Sequence, residues 1–371
     1  MTSEQIWQKI QSGVFIIAEI GKGFIQSEDE RPVSEYLDNA KKLAKAAKDA
    51  GADAAKFQTH NVEDEQLNIS VVSPHFKGAD RYSWVSRNTN ATPTEGFWKP
   101  LKKYCDEIGI LFFSTPMSRG AAKILEGLDV PLWKASSGDL LDFVELEYIA
   151  ATGKPIIISS GMSTEGEVDL AMDFLKKRNA RVALLHCVSK YPCPPEDLHL
   201  SSIEYLSARY GVPTGFSDHS VGIDSALAAV ALGAKIVEKH FSFDRTLWGS
   251  DHKVSMTPDE LRALVEGIRA LEADPSKKQE YLEKDIVKAG MGMPQKTMDA
   301  EEAVFRPYFR KSLMAGTDIP AGAVLEPDMM YAMRPQAHAG GLPSEKYPDV
   351  VGRVVKIALK KYDPITENMF S

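Results

Sequence analysis

The chain has little cysteine: three residues in 371, Cys105, Cys187 and Cys193. Three are too few for a disulfide framework, and no CxxC pair suggests structural zinc. No run of about 18 apolar residues occurs, which excludes the usual membrane-spanning helix. The opening MTSEQIWQKI lacks the basic-then-apolar order of a secretion signal, so a cytoplasmic protein is expected. Positive charge is not in excess either. Lys and Arg number 44 against 52 Asp and Glu, a formal net charge of -8. That leaves no global basic footprint for nucleic acid or anionic lipid.

What is present is ordinary soluble composition, 43% hydrophobic and 26% charged. At about 150 residues per domain, the length suggests two or three domains. One pattern recurs through the first three quarters of the chain. A short β-branched apolar run ends in polar residues, and an amphipathic stretch follows. The runs are 14–19, 54–59, 111–115, 132–137, 155–160, 182–189, 213–219 and 235–242. Helix-like segments lie between them, as at 35–50, 142–151, 165–178 and 257–272. Eight strands alternating with helices predict a parallel sheet closed into a (β/α)8 TIM barrel, fold class α/β.

Three regions depart from that rhythm. Residues 60–92 form a long second connection, read as a lid or rim over the barrel mouth. Residues 276–305 are polar, with Gly, Met and Pro punctuation, and read as a linker carrying at most a short helix. Residues 306–371 are short strand-like runs between turns, a small β-rich module near the lower size limit for independent folding. The expected division is a barrel over 1–275, the linker, and the module over 306–371.

In such barrels the reacting groups stand at the C-terminal strand ends, and period-2 alternation decides which face inward. Lys56 and Gln58 share parity, as do Ser217 and His219, and Glu238 and His240. Glu19, Thr115, Lys134, Ser137, Ser159 and Tyr191 are single candidates at other strand ends. His219 and His240 end adjacent strands, one βα unit apart. Two imidazoles with nearby oxygens suit a catalytic Mn, Fe, Co or Zn site. Lys56 and Lys134 among Ser and Thr hydroxyls suit a phosphate or carboxylate. A Schiff-base role is the competing reading of Lys134. His186 and Cys187 read as core residues. His60, His75, His199, His252 and His338 have no partner in view.

Several blocks carry a family resemblance: IIAEIG (16–21), AGADAAKFQTH (50–60), WKASSGD (133–139), KPIIISSGM (154–162), LLHCVSKYPCP (185–194), GFSDHSVG (215–222) and GSDHKVSM (249–256). Together they resemble the N-acetylneuraminate (sialic acid) synthase family, which includes legionaminic and pseudaminic acid synthases. The tail KSLMAGTDIPAGAVLEPDMMYAMRP (311–335) resembles that family's C-terminal antifreeze-like SAF domain. The resemblance implies metal-dependent condensation of phosphoenolpyruvate with an N-acetylmannosamine-type sugar, giving a nine-carbon 2-keto acid and phosphate. It implies a divalent metal, Mn2+ first and Mg2+ or Co2+ as alternatives, on His219 and His240. Lys56, Thr115, Lys134, Ser137, Ser159, Ser189 and Ser217 match phosphoenolpyruvate positions. Gln58, Tyr191 and Asp251 match sugar positions, and Glu19 and Glu238 match acids near the metal and its water. Arg334 matches an arginine that the family inserts into a partner subunit's site, which implies a domain-swapped homodimer.

The sequence departs from the family at Lys22-Gly23-Phe24-Ile25, where an Asn-His-Asn-Gly type loop is usual, and at Asp139, where glutamate is common. Three other readings compete. A phosphoenolpyruvate-dependent 3-deoxy-ulosonate synthase with another aldose shares the barrel but leaves the tail unexplained. A metal-dependent barrel hydrolase usually has a His-x-His on its first strand, which is absent here. An ice-binding or other non-catalytic protein needs flat Thr-rich repeats, which 306–371 lacks.

Overall fold

The computed structural model describes residues 1–72 and 80–370. Eight strands make one parallel sheet: β1 (Phe15–Gly21), β2 (Ala54–Thr59), β3 (Leu111–Pro116), β4 (Trp133–Ala135), β5 (Ile156–Ser159), β6 (Val182–Cys187), β7 (Thr214–Asp218) and β8 (Ile236–His240). Their order is β3-β2-β1-β8-β7-β6-β5-β4, and β3 and β4 stand side by side to close the ring. The expected barrel is present. Helices at Val33–Asp49, Phe143–Ala151 and Glu165–Lys176 supply crossovers that parallel pairing needs, and one at Pro258–Ala273 follows the last strand. Two of them start on capping boxes, Thr164 with Glu167 and Thr257 with Glu260, so their first amides are satisfied locally.

Strand alternation splits the barrel into a dry floor and a polar mouth. Phe15, Ile17, Ala54, Phe113, Ile157, Ala183, Leu185 and Ile236 form one buried cluster. A helix at Ser3–Ser12 adds Ile6 and Ile10 to it and plugs the floor. Each such large side chain contributes about 1.5–3 kcal/mol by leaving water. Nothing in the strand-helix rhythm announces this helix. The opposite strand faces pack against the surrounding helices. Phe57 stacks on Phe112 at 5.6 Å between ring centroids and meets Trp98 edge-on at 6.3 Å. With Phe57 outward, Lys56 and Gln58 face the barrel axis.

The long second connection is more regular than the sequence suggests, with helices at Val62–Glu65 and Arg81–Ala91. Its stretch 73–79, which includes His75, lies outside the described residues. The later connection holds three short helices rather than at most one, at Lys278–Leu282, Asp285–Gly290 and Ala300–Ala303. The C-terminal module is built on β9 (Ser312–Ala315) paired antiparallel with β10 (Met330–Met333). Bridges such as Ile319 to Leu359 and Val324 to Val354 tie its turns together. It rests on the barrel rim, where Arg119 donates to the carbonyls of Pro327 and Met330, each at 2.7 Å. Among the described residues no helix is long and apolar enough to cross a membrane.

Candidate active site

Above the dry floor the inward positions of the same strands turn polar. They surround a cavity of about 140 Å³. Lys56, Gln58, Thr115, Lys134, Ser137, Ser159, Ser189, Tyr191, Ser217, His219, Glu238, His240 and Arg334 all line it. Glu19 stands behind, accepting a hydrogen bond from Gln58 Nε2 at 2.8 Å. Asp251 lines an adjoining cavity with Gln58, Tyr191 and His240. The structure thus brings thirteen of the fifteen candidate residues to one cavity, with Glu19 and Asp251 beside it.

The inner half is a lysine–carboxylate network. Lys56 Nζ lies 2.6 Å from Glu19 Oε2 and 3.5 Å from Glu238 Oε1, and donates to Thr115 Oγ1 at 3.2 Å. Lys134 Nζ donates to Ser159 Oγ at 2.6 Å and sits 3.9 Å from Glu238 Oε1. Burial pushes the Glu19 carboxyl above its ordinary pKa despite Lys56. Burial acts on Glu238 too, but Lys134 and Lys56 outweigh it and hold that carboxyl below its usual range. Two carboxylates in one site are thereby driven apart. Gly161 lets the wall close: a Cβ there would meet Ser189 Oγ at 2.4 Å and Ser137 Oγ at 2.6 Å.

The two candidate metal histidines face each other with ring centroids 5.5 Å apart. His219 Nδ1 is 2.7 Å from the Val188 carbonyl, which directs Nε2 elsewhere. Burial pulls His240 down to about 4, so its imidazole is neutral and able to donate a lone pair. His240 Nδ1 and Glu238 Oε2 are buried without a hydrogen-bond partner. Two imidazoles beside an unsatisfied carboxylate oxygen are a donor set that fits a divalent cation. A second buried group, Asp139, Asp142 and Glu145, has ligand atoms within 4.8 Å of one another. The cation there is the chain's own: Lys311 Nζ lies 2.9 Å from Asp139 and 2.6 Å from Asp142.

Arg334 is fully buried at the outer wall. It lies 3.2 Å from Glu65 Oε1, donates to the Phe309 carbonyl at 2.8 Å and pairs with Asp139. Arg334 and Lys311 outweigh burial and draw Asp139 down to about 2. The resemblance puts this arginine in a partner subunit's mouth. In this single chain it lies in the mouth of its own barrel, and the connecting segment sets that path. The connecting segment doubles back over the mouth: Asp299 pairs with Lys190 at 2.5 Å, and Glu302 Oε1 accepts from the amides of Met162 and Ser189 at 3.0 and 2.7 Å. The module is delivered to the barrel it came from.

Other lining residues escaped the sequence reading: Lys22, His60, Arg81, Trp84, Cys187 and Phe309. Cys187 is buried as expected of a core residue, but it also lines the cavity. Its Sγ lies 3.5 Å from Ser137 Oγ and 4.0 Å from His219 Nδ1. It shares strand parity with Ala183 and Leu185, which point inward, and that signal finds it. His60 has a partner after all, Glu65 at 2.7 Å, and His252 has one in Ser242 Oγ at 2.6 Å. His186 does behave as core, bonded to the Leu198 carbonyl and pushed down to about 3 by burial.

A family model described as the NeuB family matches residues 43–280, and one for the SAF domain matches 310–371. The chain belongs to the NeuB family. It is a sialic acid-type synthase, a transferase, with an SAF domain at its C-terminal end. The N-acetylneuraminate-9-phosphate synthase of Homo sapiens is 33% identical, over 98% of this chain and 94% of the human one. The N,N'-diacetyllegionaminic acid synthase of Campylobacter jejuni is 32% identical, over 88% of this chain and 92% of its own length. The crystal structure of the spore coat polysaccharide biosynthesis protein SpsE from Bacillus subtilis superposes with a TM-score of 0.76 at 31% identity. It covers 97% of this chain and 95% of that one.

Proposed function

We propose that this synthase condenses phosphoenolpyruvate with an N-acetylmannosamine-type aldose, giving a nine-carbon 2-keto sugar acid and phosphate. The observation that carries the reading is the convergence of Lys56, Lys134 and five strand-end hydroxyls with His219 and His240 in one cavity. Relatives named for making N-acetylneuraminate 9-phosphate and diacetyllegionaminic acid support it. The barrel over 1–275 holds the reacting groups, 276–305 connects, and 306–371 supplies Arg334.

Lys56 and Lys134 neutralise the phosphate and carboxylate of phosphoenolpyruvate, while Thr115, Ser137, Ser159, Ser189 and Ser217 donate hydrogen bonds to their oxygens. The aldose lies across Gln58, Tyr191 and Asp251, with its open-chain aldehyde toward the enol. The enol methylene carbon forms the new C–C bond to the aldehyde carbon, whose oxygen takes up a proton. Water adds at the carbon bearing the phosphate ester, the C–O bond breaks with its electron pair on phosphate, and the ketone forms. Glu19 and Glu238 hold the protons taken from that water, with Glu238, kept ionised by the lysines, as the acceptor. His219 and His240 would hold the divalent metal, Mn2+ with Mg2+ or Co2+ as alternatives. Bound there, it supplies Lewis-acid polarisation of the aldehyde oxygen.

The test is phosphate release from phosphoenolpyruvate with Mn2+ and a panel of N-acetylmannosamine, its 6-phosphate and diacetamido-trideoxy hexoses. The reading expects release that depends on at least one acceptor. No release with any acceptor, from protein shown to contain metal, contradicts it.

A further inference from the structure

The outer half of the mouth carries a cation with no ion-pair partner among the described residues. Lys22 follows the last residue of β1, at the point where the sequence leaves its family's usual loop. It lines the mouth cavity and also the adjoining one, of about 110 Å³, with Gln58, Tyr191 and Asp251. That adjoining cavity includes His240 but neither Lys56 nor Lys134 in its walls. Lys22 therefore reaches the cavity lined by the sugar-matching residues, which the two lysines assigned to phosphoenolpyruvate do not line.

Its ammonium lies 5.4 Å from the centroid of the Trp84 ring. Among the described residues no carboxylate oxygen lies within 4.0 Å of it. Three other cations of the mouth differ in this respect. Lys56 has Glu19, Lys134 has Glu238, and Arg334 has Glu65 and Asp139. Asp251 is the carboxylate that acts most strongly on Lys22, and it is tied at 2.7 Å to Ser250 Oγ. Arg81 adds a second guanidinium to the same wall. Lys22 is half-buried, and an ammonium partly withdrawn from water without a counter-charge is stabilised by a ligand that supplies one. An aromatic face compensates only in part.

We propose that Lys22 is a specificity-determining residue that recognises an anionic substituent, phosphate or carboxylate, on the acceptor sugar. This rests on the condensation reading above and adds the charge class of its second substrate. A neutral acceptor leaves the ammonium partly dehydrated and unpaired, and a site built around such a group discriminates against ligands that lack the matching charge. The Trp84 ring flanks the ammonium on one side and leaves it free to meet the anion on another.

The experiment compares three acceptors that differ at one carbon: N-acetylmannosamine, its 6-phosphate and its 6-carboxylate. Phosphate release from phosphoenolpyruvate is followed with the full chain and Mn2+. The expected result is a kcat/KM roughly tenfold or more higher for one anionic acceptor than for the neutral sugar, lying mainly in KM. Which anionic sugar wins separates phosphate from carboxylate. K22Q should erase the preference, and K22R, which retains the charge, should keep most of it. A wild-type preference for the neutral sugar, or a preference undiminished in K22Q, overturns the inference. Turnover without charge preference sinks this inference alone. No turnover with any of the three sinks the condensation reading, and this inference with it.

Discussion

The ammonium of Lys311 lies 2.6 Å from the carboxylate of Asp142, and both side chains are buried where the C-terminal module meets the barrel rim. The contact joins residues 169 positions apart and anchors the module through its first strand's approach. Because Asp139 also holds Arg334, the same anchor fixes that arginine in the mouth.

K311M should undock the module. Removing one partner of a buried ion pair costs about 3–5 kcal/mol, because the remaining carboxylates stay dehydrated. Calorimetry should show a lowered or split unfolding transition, and limited proteolysis should cut faster within 276–311. A melting profile and cleavage rate equal to the parent's would show that Lys311 does not carry the docking.

Glu145 provides a pH test of the same cluster. Burial raises its pKa well above the ordinary value, and both its carboxyl oxygens lack a hydrogen-bond partner. The sign follows from proton counting. The folded state keeps a proton that the unfolded state releases above its own pKa of 4.5. Stability is therefore lost as pH rises from there toward the folded pKa, at about 1.4 kcal/mol per unit. E145Q should be more stable than the parent at pH 7, and the difference should vanish near pH 4. A constant difference across that range, by thermal or urea unfolding, would refute the assignment.

The place of Arg334 in the mouth of its own chain's barrel makes a third prediction. Chains bearing R334A and chains bearing H240A are each expected to lose most of their activity. Co-refolded mixtures should stay inactive, because no chain then carries both groups at one mouth. Recovery to about a quarter of parental activity, the random-mixing figure for two chains that exchange modules, would show that the arginine is shared between subunits.

The histidine pair is tested by metal content rather than turnover. H219A and H240A should each lose bound Mn2+ on gel filtration, as measured by elemental analysis. Retention by both variants at the parental stoichiometry would place the ion elsewhere.

The barrel interior was legible from sequence because alternation has a fixed period. Once strand ends are located, Lys56 with Gln58 and Glu238 with His240 must face the axis, and they do. Cys187 obeys the same rule, and its apolar neighbours disguised it. Lys22, Arg81 and Trp84 follow no period, since they stand in a turn and in a helix inserted after β2. Their convergence is set by loop paths. The place of Arg334 was hidden for a related reason: it depends on Glu65 and Asp139, 269 and 195 positions away. The resemblance supplied its role but directed it to another subunit.

The central claim is the bond made between two substrates. With phosphoenolpyruvate labelled with 13C at its methylene carbon, the purified chain, Mn2+ and an accepted sugar, 13C NMR reads that carbon's fate. A methylene signal within a nine-carbon 2-keto acid, formed one for one with phosphate, is the expected result. Label appearing as the methyl group of pyruvate, with phosphate released whether or not sugar is present, would contradict it.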